Sequence, residues 1–339
     1  MKVCVVGAGW YGCHITRILS SLNFNVTLLD KKSDLLACAS GANQNRLHLG
    51  FHYPRNHRTR IQSLIGYNRF REEYAGIVSE ISNNIYAVPN LESLMDYSTY
   101  CGIMASTGVP YRTCKTPSIL HNIEGSISTD EMLINASSAR IYFRNKLQSS
   151  LKLNTEVNSI KSNENHVLVN YEKYDYLIDC TWGHLIPNDD AYFEASLLLK
   201  MKKKKDFDMA ITLVDGDLWS LYPTNNNDIY TLSSVVHTPL FSSKSSKEIN
   251  RGISVLSEAK LSERKDQIIT HALQHFPSLL EYFEFSDYQI SIKTKLSGLS
   301  SDRSCYVKKT QRVISIQSGK IDNIFYASDF VIKLLTNEN

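Results

Sequence analysis

The chain has 339 residues, 42% of them apolar, which suffices for one large or two moderate hydrophobic cores and excludes a disordered protein. The formal net charge of +3 is small at this length, and the one conspicuous basic run, Lys202 to Lys205, reads as a linker, so nucleic acid is not implied as a partner. No run of about eighteen apolar residues is present to span a membrane, and Met1 leads straight into a strand without a basic leader or apolar signal region, which points to the cytoplasm.

Lys2 to Val6 reads as a short buried strand, followed by the turn Gly7-Ala8-Gly9-Trp10-Tyr11-Gly12 and a helical pattern from His14 to Leu22. A second strand, Asn25 to Leu29, ends in Asp30, and the two strands should be parallel. Arg58 to Ile81 carries apolar residues at helical spacing and reads as one long amphipathic helix. Ile85 to Pro117 reads as short strands and turns. Ser128 to Leu151 reads as a helix capped by Ser128 or Thr129, with Asp130 and Glu131 in its first turn. Strands are expected at Glu156 to Lys161, His166 to Tyr171 and Tyr176 to Thr181. From Lys200 onward, Met209 to Val214, Leu218 to Tyr222 and Tyr230 to Val236 read as an antiparallel sheet. Helical residues then run to about Phe283, two strands follow near Tyr288 to Lys295 and Val313 to Gln317, and Ile324 to Leu335 closes the chain as a helix. The seven cysteines are scattered and form no CxxC pair, which argues against a disulfide framework and against a metal site; Cys4, Cys13 and Cys180 read as core thiols.

Gly7, Gly9 and Gly12 fit G-x-G-x-x-G with a strand before, a helix after and an acid closing the second strand, which is the signature of a bound dinucleotide. Gly7 permits the tight turn, Gly9 lets the backbone approach a pyrophosphate, and Gly12 brings the helix, which opens at Trp10 and Tyr11, close to the strand. Asp30 would accept hydrogen bonds from a ribose. Lys31 and Lys32 leave a 2′-phosphate open, and the motif by itself does not distinguish FAD from NAD.

The segment Ala39 to Arg55, ASGANQNRLHLGFHYPR, packs two histidines, two asparagines and two arginines among glycines. Here the sequence resembles the FAD-dependent oxidoreductases of the D-amino-acid oxidase and glycine oxidase superfamily. Asn45 to Tyr53 looks most like the matching stretch of L-2-hydroxyglutarate oxidases. The resemblance implies FAD as cofactor, with Ser40, Asn43, Asn45, Arg46 and Leu47 beside it. It also implies Val157 on the adenine side, and Thr181-Trp182-Gly183 as the returning turn, with a tryptophan where the family carries a small residue. Ser301 to Ser304, including Arg303, and then Gly319-Lys320-Ile321 take the place where the family returns under the flavin pyrimidine. A lysine or a helix N-terminus there would offset the negative charge of a reduced ring.

The implied architecture is α/β: a Rossmann-like FAD-binding domain with a mainly parallel sheet (1–84, 120–199 and 296–339) and an antiparallel-sheet, α+β substrate domain (85–119 and 200–295). The implied reaction takes a hydride from the CH–OH or CH–NH carbon of a small or sugar-linked acid. Arg46 and Arg303 are the candidates for its carboxylate clamp, because a planar guanidinium binds both oxygens. His48 and His52 are the candidates for the proton acceptor, His48 also for covalent flavin attachment, and Tyr53 and Tyr222 for the pocket lining. A non-redox flavoenzyme of the sugar mutase type and a non-catalytic nucleotide-binding module remain open on the sequence.

Overall fold

The computed structural model describes residues 1–297 and 303–337. Lys2–Val6 lies inside a six-stranded sheet, with Asn25–Leu29 and the short Leu151–Lys152 on one side. On its other side come Tyr176–Asp179, Val313–Gln317 and Tyr306–Thr310. All neighbours run parallel except the last two, which form an antiparallel hairpin. The strand is buried from Val3 to Val6 because both faces are covered, which is why it reads as a continuous apolar run rather than an alternation. Helices Trp10–Ser21 and Ile324–Thr336 pack against each other and contribute to the larger core. On the second face, Cys4, Val6 and Leu177 pack against Val167, Val169 and Tyr174 of a small three-stranded antiparallel sheet.

The second layer is a nine-stranded, mixed sheet. Its spine is the long antiparallel pair Ala191–Lys203 and Phe283–Leu296, joined along its whole length. Ile229–Ser234, Trp219–Pro223, Met209–Leu213, Asn83–Pro89, Ile123–Thr129 and Tyr111–Cys114 follow in that order, and only Met209–Leu213 with Asn83–Pro89 is parallel. Helix Glu258–Leu273 covers this sheet through Ile268 and Ala272, next to Phe276. Between the two layers, Arg46–Leu47, Met132–Ile134 and Val78–Ser79 form a bridge of three short strands.

Several sequence expectations give way here. The helix expected over 128–151 is shorter: Ile123–Thr129 and Met132–Ile134 are strands, and the helix is Ala136–Lys146, capped by Asn135, which accepts from the Ser138 N–H. Sheet pairing with Asn83–Pro89 overrides the acid-rich helix start, and Glu131 becomes a buried residue between strands. The long amphipathic helix ends at Glu73, and the span 85–117 contains a helix, Tyr97–Thr107, capped by Asp96 and ended by Gly108 at a left-handed φ of 73°. Lys202 and Lys203 belong to the long strand rather than to a linker, and Val157 lies just ahead of a strand that begins at Ile160. Ile123–Thr129 and Ala191–Lys203, expected with the cofactor part, hydrogen-bond into the nine-stranded sheet, so the expected boundary at 199/200 falls within one strand. Among the described residues no helix is long and apolar enough to cross a membrane.

Candidate active site

The glycine turn forms the first wall of a cleft between the layers. Gly7 takes a φ of 100°, and a Cβ there would lie 2.9 Å from the Cys180 carbonyl oxygen. A Cβ on Gly12 would lie 1.9 Å from the Gly7 carbonyl oxygen, so the helix packs too closely on the turn for any side chain. Gly9 at the cap position carries no side chain, so beyond Trp10 the N–H groups of the helix start remain available to an anion at the cleft, where Gly9, Trp10 and Tyr11 line the wall. The Trp10 N–H donates to Ser40 Oγ at 3.2 Å. Asp30 braces the turn from outside: Oδ2 accepts from the Ala8 N–H at 2.6 Å and Oδ1 from the Lys32 N–H at 2.8 Å. Lys31 pairs with Glu156 at the surface, 3.6 Å apart.

The second wall is the segment after Ala39. Asn43 folds the loop on itself, donating to the Ala39 carbonyl and accepting from the Asn45 N–H, while Asn45 takes a left-handed φ of 50°. Arg46 is fixed from three sides: Nη1 donates to Thr212 Oγ1 at 2.6 Å, Nη2 to Gln44 Oε1 at 2.9 Å, and the guanidinium sits 4.0 Å over the Tyr222 ring. Leu47 points into the core and packs rather than lining the cleft.

His48 and His52 both reach the cleft, with their rings 6.2 Å apart. His48 Nδ1 lies 3.5 Å from Glu131 Oε1, an ion-pair distance without hydrogen-bond geometry. Glu131 instead accepts from the Leu49 N–H and the Tyr86 hydroxyl, each at 2.7 Å. Burial alone would raise its carboxyl, but His48, the Tyr86 hydroxyl and Arg46 outweigh that and hold it below the ordinary range. Burial and then the Lys320 cation push His48 down, and burial, Arg46 and His48 push His52 well down, so both rings are neutral near pH 7.

The third wall is the C-terminal return, where Ser318, Gly319, Lys320 and Ile321 face the cleft just ahead of the last helix. Lys320 Nζ is buried without a hydrogen-bond acceptor, 4.0 Å over the Tyr53 ring and 3.8 Å from Asp322 Oδ2. The Tyr11 hydroxyl donates to the Lys320 carbonyl and ties this wall to the first. Arg303 lines the cleft, its N–H donating to Thr59 Oγ1; Ser301 and Asp302 lie outside the described residues. Trp182 takes a φ of 60° and also lines the cleft, its carbonyl accepting from Thr294 Oγ1 at 2.7 Å. Thr181 instead binds Asp179, and Val157, Gly183, Asp30 and Lys31 stand behind or beside the walls rather than in them.

The fourth wall was not legible beforehand. On the long strand pair, Glu194, Ser196 and Leu198 stand in register with Lys293, Ser291 and Gln289, and their shared face borders the cleft. Lys295 Nζ donates to Glu194 Oε2 at 2.5 Å, and Ser196 Oγ to Glu194 Oε1 at 2.9 Å. Further along, Gln44 Oε1 accepts from Ser220, Ser220 meets Ser233, and Gln44 Nε2 reaches Thr231. The alternation Ser291, Lys293, Lys295 against Ile290 and Ile292 was the available signal: it is the period of a strand with one polar face. The four walls enclose about 470 Å³.

A family model described as "DAO: FAD dependent oxidoreductase" matches residues 2–328. The chain belongs to this family of FAD-dependent oxidoreductases. FAD-dependent monooxygenase FPY4 of Fusarium mangiferae is 41% identical to this oxidoreductase over 338 residues, covering 99% of this chain and 91% of that protein. FAD-dependent monooxygenase kojA of Aspergillus flavus is 24% identical over 369 residues, covering 99% and 86%. Among solved structures, glycine oxidase from Geobacillus kaustophilus superposes with a TM-score of 0.74 at 12% identity, over 99% of this chain and 95% of that one. L-alpha-glycerophosphate oxidase from Mycoplasma pneumoniae gives 0.76 at 14%, over 98% and 94%. These likenesses establish the α/β fold.

The residues present fit FAD. The side-chain-free cradle of Gly7, Gly9 and Gly12 and the helix N–H groups beyond Trp10 suit a pyrophosphate, and Lys320 is a buried cation without a hydrogen-bond acceptor at the opposite wall. The non-redox and non-catalytic readings give way to the family's redox chemistry.

Proposed function

We propose that this oxidoreductase oxidises the CH–OH or CH–NH carbon of a small, carboxylate-bearing molecule, taking a hydride from it. The observation that carries this reading is the charge of the cleft: among the described residues Arg46, Arg55, Lys293, Lys295, Arg303 and Lys320 line it against Glu194 and Asp215. Such an excess of cations in a concave, partly desolvated site favours an anionic substrate in addition to the dinucleotide. The likeness of Asn45 to Tyr53 to L-2-hydroxyglutarate oxidases supports an acid as well.

FAD, when bound, supplies the hydride acceptor. The chain's own residues hold and position. Arg46, locked by Thr212, Gln44 and Tyr222, keeps a fixed positive charge in the wall. His48 and His52 present neutral rings at the cleft, to accept the proton of the hydroxyl or ammonium group. Lys320 places a cation where negative charge gathers on the far wall.

Anaerobic mixing of the flavin-loaded protein with a panel of 2-hydroxy and 2-amino acids tests this. One acid is expected to bleach the visible flavin absorbance; bleaching by a neutral alcohol or amine and by no acid would sink the carboxylate reading. A second reading, net oxygenation, is favoured by the name of the 41% identical relative, a monooxygenase. Turnover under isotopically labelled dioxygen separates the two: label in the organic product favours oxygenation, and label only in hydrogen peroxide or water favours oxidation.

A further inference from the structure

Among the cations that line the cleft, Lys293 stands on the sheet wall. Lys293 stands opposite Glu194 in the register of the long strand pair, the position from which a cross-strand ion pair normally forms. The Glu194 carboxylate is already taken, by the Lys295 ammonium on one oxygen and the Ser196 hydroxyl on the other. Among the described residues, Lys293 makes no hydrogen bond and no ion pair, and its side chain opens on the cleft. A half-buried cation beside further cations is stabilised when an anion meets it.

We infer that Lys293, together with Arg303 in the same cleft, is the seat of the substrate's carboxylate. Arg46, the alternative clamp, has its guanidinium engaged by Thr212, Gln44 and Tyr222, which suits it to shaping the wall. The two candidate proton acceptors, His48 and His52, lie on the loop wall, and Lys293 lies on the sheet wall. A substrate bridging the two walls has its acid end and its oxidised carbon held separately. Specificity for an acid then comes from the sheet wall and proton handling from the loop wall.

The charge balance around Lys293 gives the inference a pH signature. Burial lowers its pKa most; Glu194 opposes that, and Lys295 and Arg303 add to it, bringing the ammonium to about 8. Anion binding needs the charged form, so affinity for acids is present below that pH and falls as pH rises through it.

The inference rests on the proposed oxidation of an acid, and the test separates the two. Holoprotein is assayed with the acid that bleaches the flavin and with its carboxamide, comparing wild type with Lys293→Met, Lys293→Arg and Arg303→Met; retained flavin absorbance reports folding. Lys293→Met is expected to raise KM for the acid at least about tenfold, the consequence of removing one partner of a half-buried charge pair, and to affect the carboxamide far less. Lys293→Arg should recover most of the affinity and abolish its fall above about pH 8, because arginine stays charged. Calorimetric titration with acetate provides a readout independent of turnover and is expected to show weaker binding in Lys293→Met. An unchanged KM and unchanged acetate binding in Lys293→Met, with wild type still oxidising acids, would overturn the anchor and leave the oxidation intact. If wild type discriminates against acids in favour of carboxamides, the oxidation reading and the anchor fall together.

Discussion

The glycine turn and the polar sheet wall face the same cleft, yet they are built in opposite ways. The shape of the turn is set by contacts between near neighbours in sequence, Gly12 against Gly7, Ala8 to Asp30 across 22 residues and Trp10 to Ser40 across 30, and its distant contacts, to Cys180 and Lys320, are to backbone carbonyls. The sheet wall is assembled from distant ones: Lys295 to Glu194 across 101 residues, Arg46 to Thr212 across 166, Gln44 to Thr231 across 187. In the turn the backbone is the functional surface, and the residues matter for what they lack. In the wall the side chains are the surface, and each matters only through a partner that tertiary pairing delivers. A cofactor common to a family can be met by the first device. The second is where members of one family can differ in what they oxidise.

Breaking the turn should have the largest effect. Gly12→Val places atoms where even a Cβ lies 1.9 Å from a backbone oxygen, so less than about a tenth of the normal flavin content or outright insolubility is expected. Gly9→Ala sharpens the result, because the new Cβ meets only the Ser40 side chain, 2.7 Å from its hydroxyl. That variant should fold and bind FAD more weakly, measured as flavin-to-protein ratio. Full flavin content in both variants would mean that the pyrophosphate lies elsewhere.

An intermediate effect is expected at Glu131, which ties the histidine loop to the second layer. Glu131→Gln replaces two charge-assisted hydrogen bonds, from Leu49 and Tyr86, with weaker ones, and should cost about 2 kcal/mol in denaturant unfolding. Because the folded carboxyl is held below its ordinary value of 4.5, its stabilisation is fully present above that pH and is lost as pH falls from there through the folded value of about 2. The variant should therefore lose less stability than wild type on acidification; parallel acid profiles would show that Glu131 is not the group responsible.

Lys31→Ala should have the smallest effect. The residue is exposed and only 3.6 Å pairing with Glu156 is removed, so stability should stay within about 0.5 kcal/mol and flavin content should not change. A large loss of flavin would place Lys31 on the cofactor and extend the locally encoded site beyond the turn.

Legibility followed the same division. The first strand, the turn, the second strand and the final helix were readable because each is specified by adjacent residues: an apolar run, a glycine spacing, an acid at a strand end. Ser40, Asn43, Asn45, Arg46, His48, His52, Tyr53, Arg303, Gly319, Lys320 and Ile321 line the cleft, and each belongs to a segment unusual in its own composition or position. Leu47 came out in the core because alternation on a two-residue strand sends neighbouring side chains to opposite faces. The helix expected from Ser128 was missed because its pattern of acids and apolar residues also fits two strands, and the partner Asn83–Pro89 decided the matter. Lys293 went unnoticed because a lysine on a strand usually faces solvent; only the pairing with Ala191–Lys203 turned that face inward.

By itself the sequence determined that the chain opens with a dinucleotide cradle and carries a histidine- and arginine-rich loop behind it, because glycine spacing and local composition act through the backbone within a few residues. Only the tertiary structure decided which charges meet and which remain unpaired. Whether a lysine is neutralised depends on a partner more than ninety residues away, and no local pattern encodes that distance: Glu194 could have taken Lys293, and the fold gave it Lys295 instead.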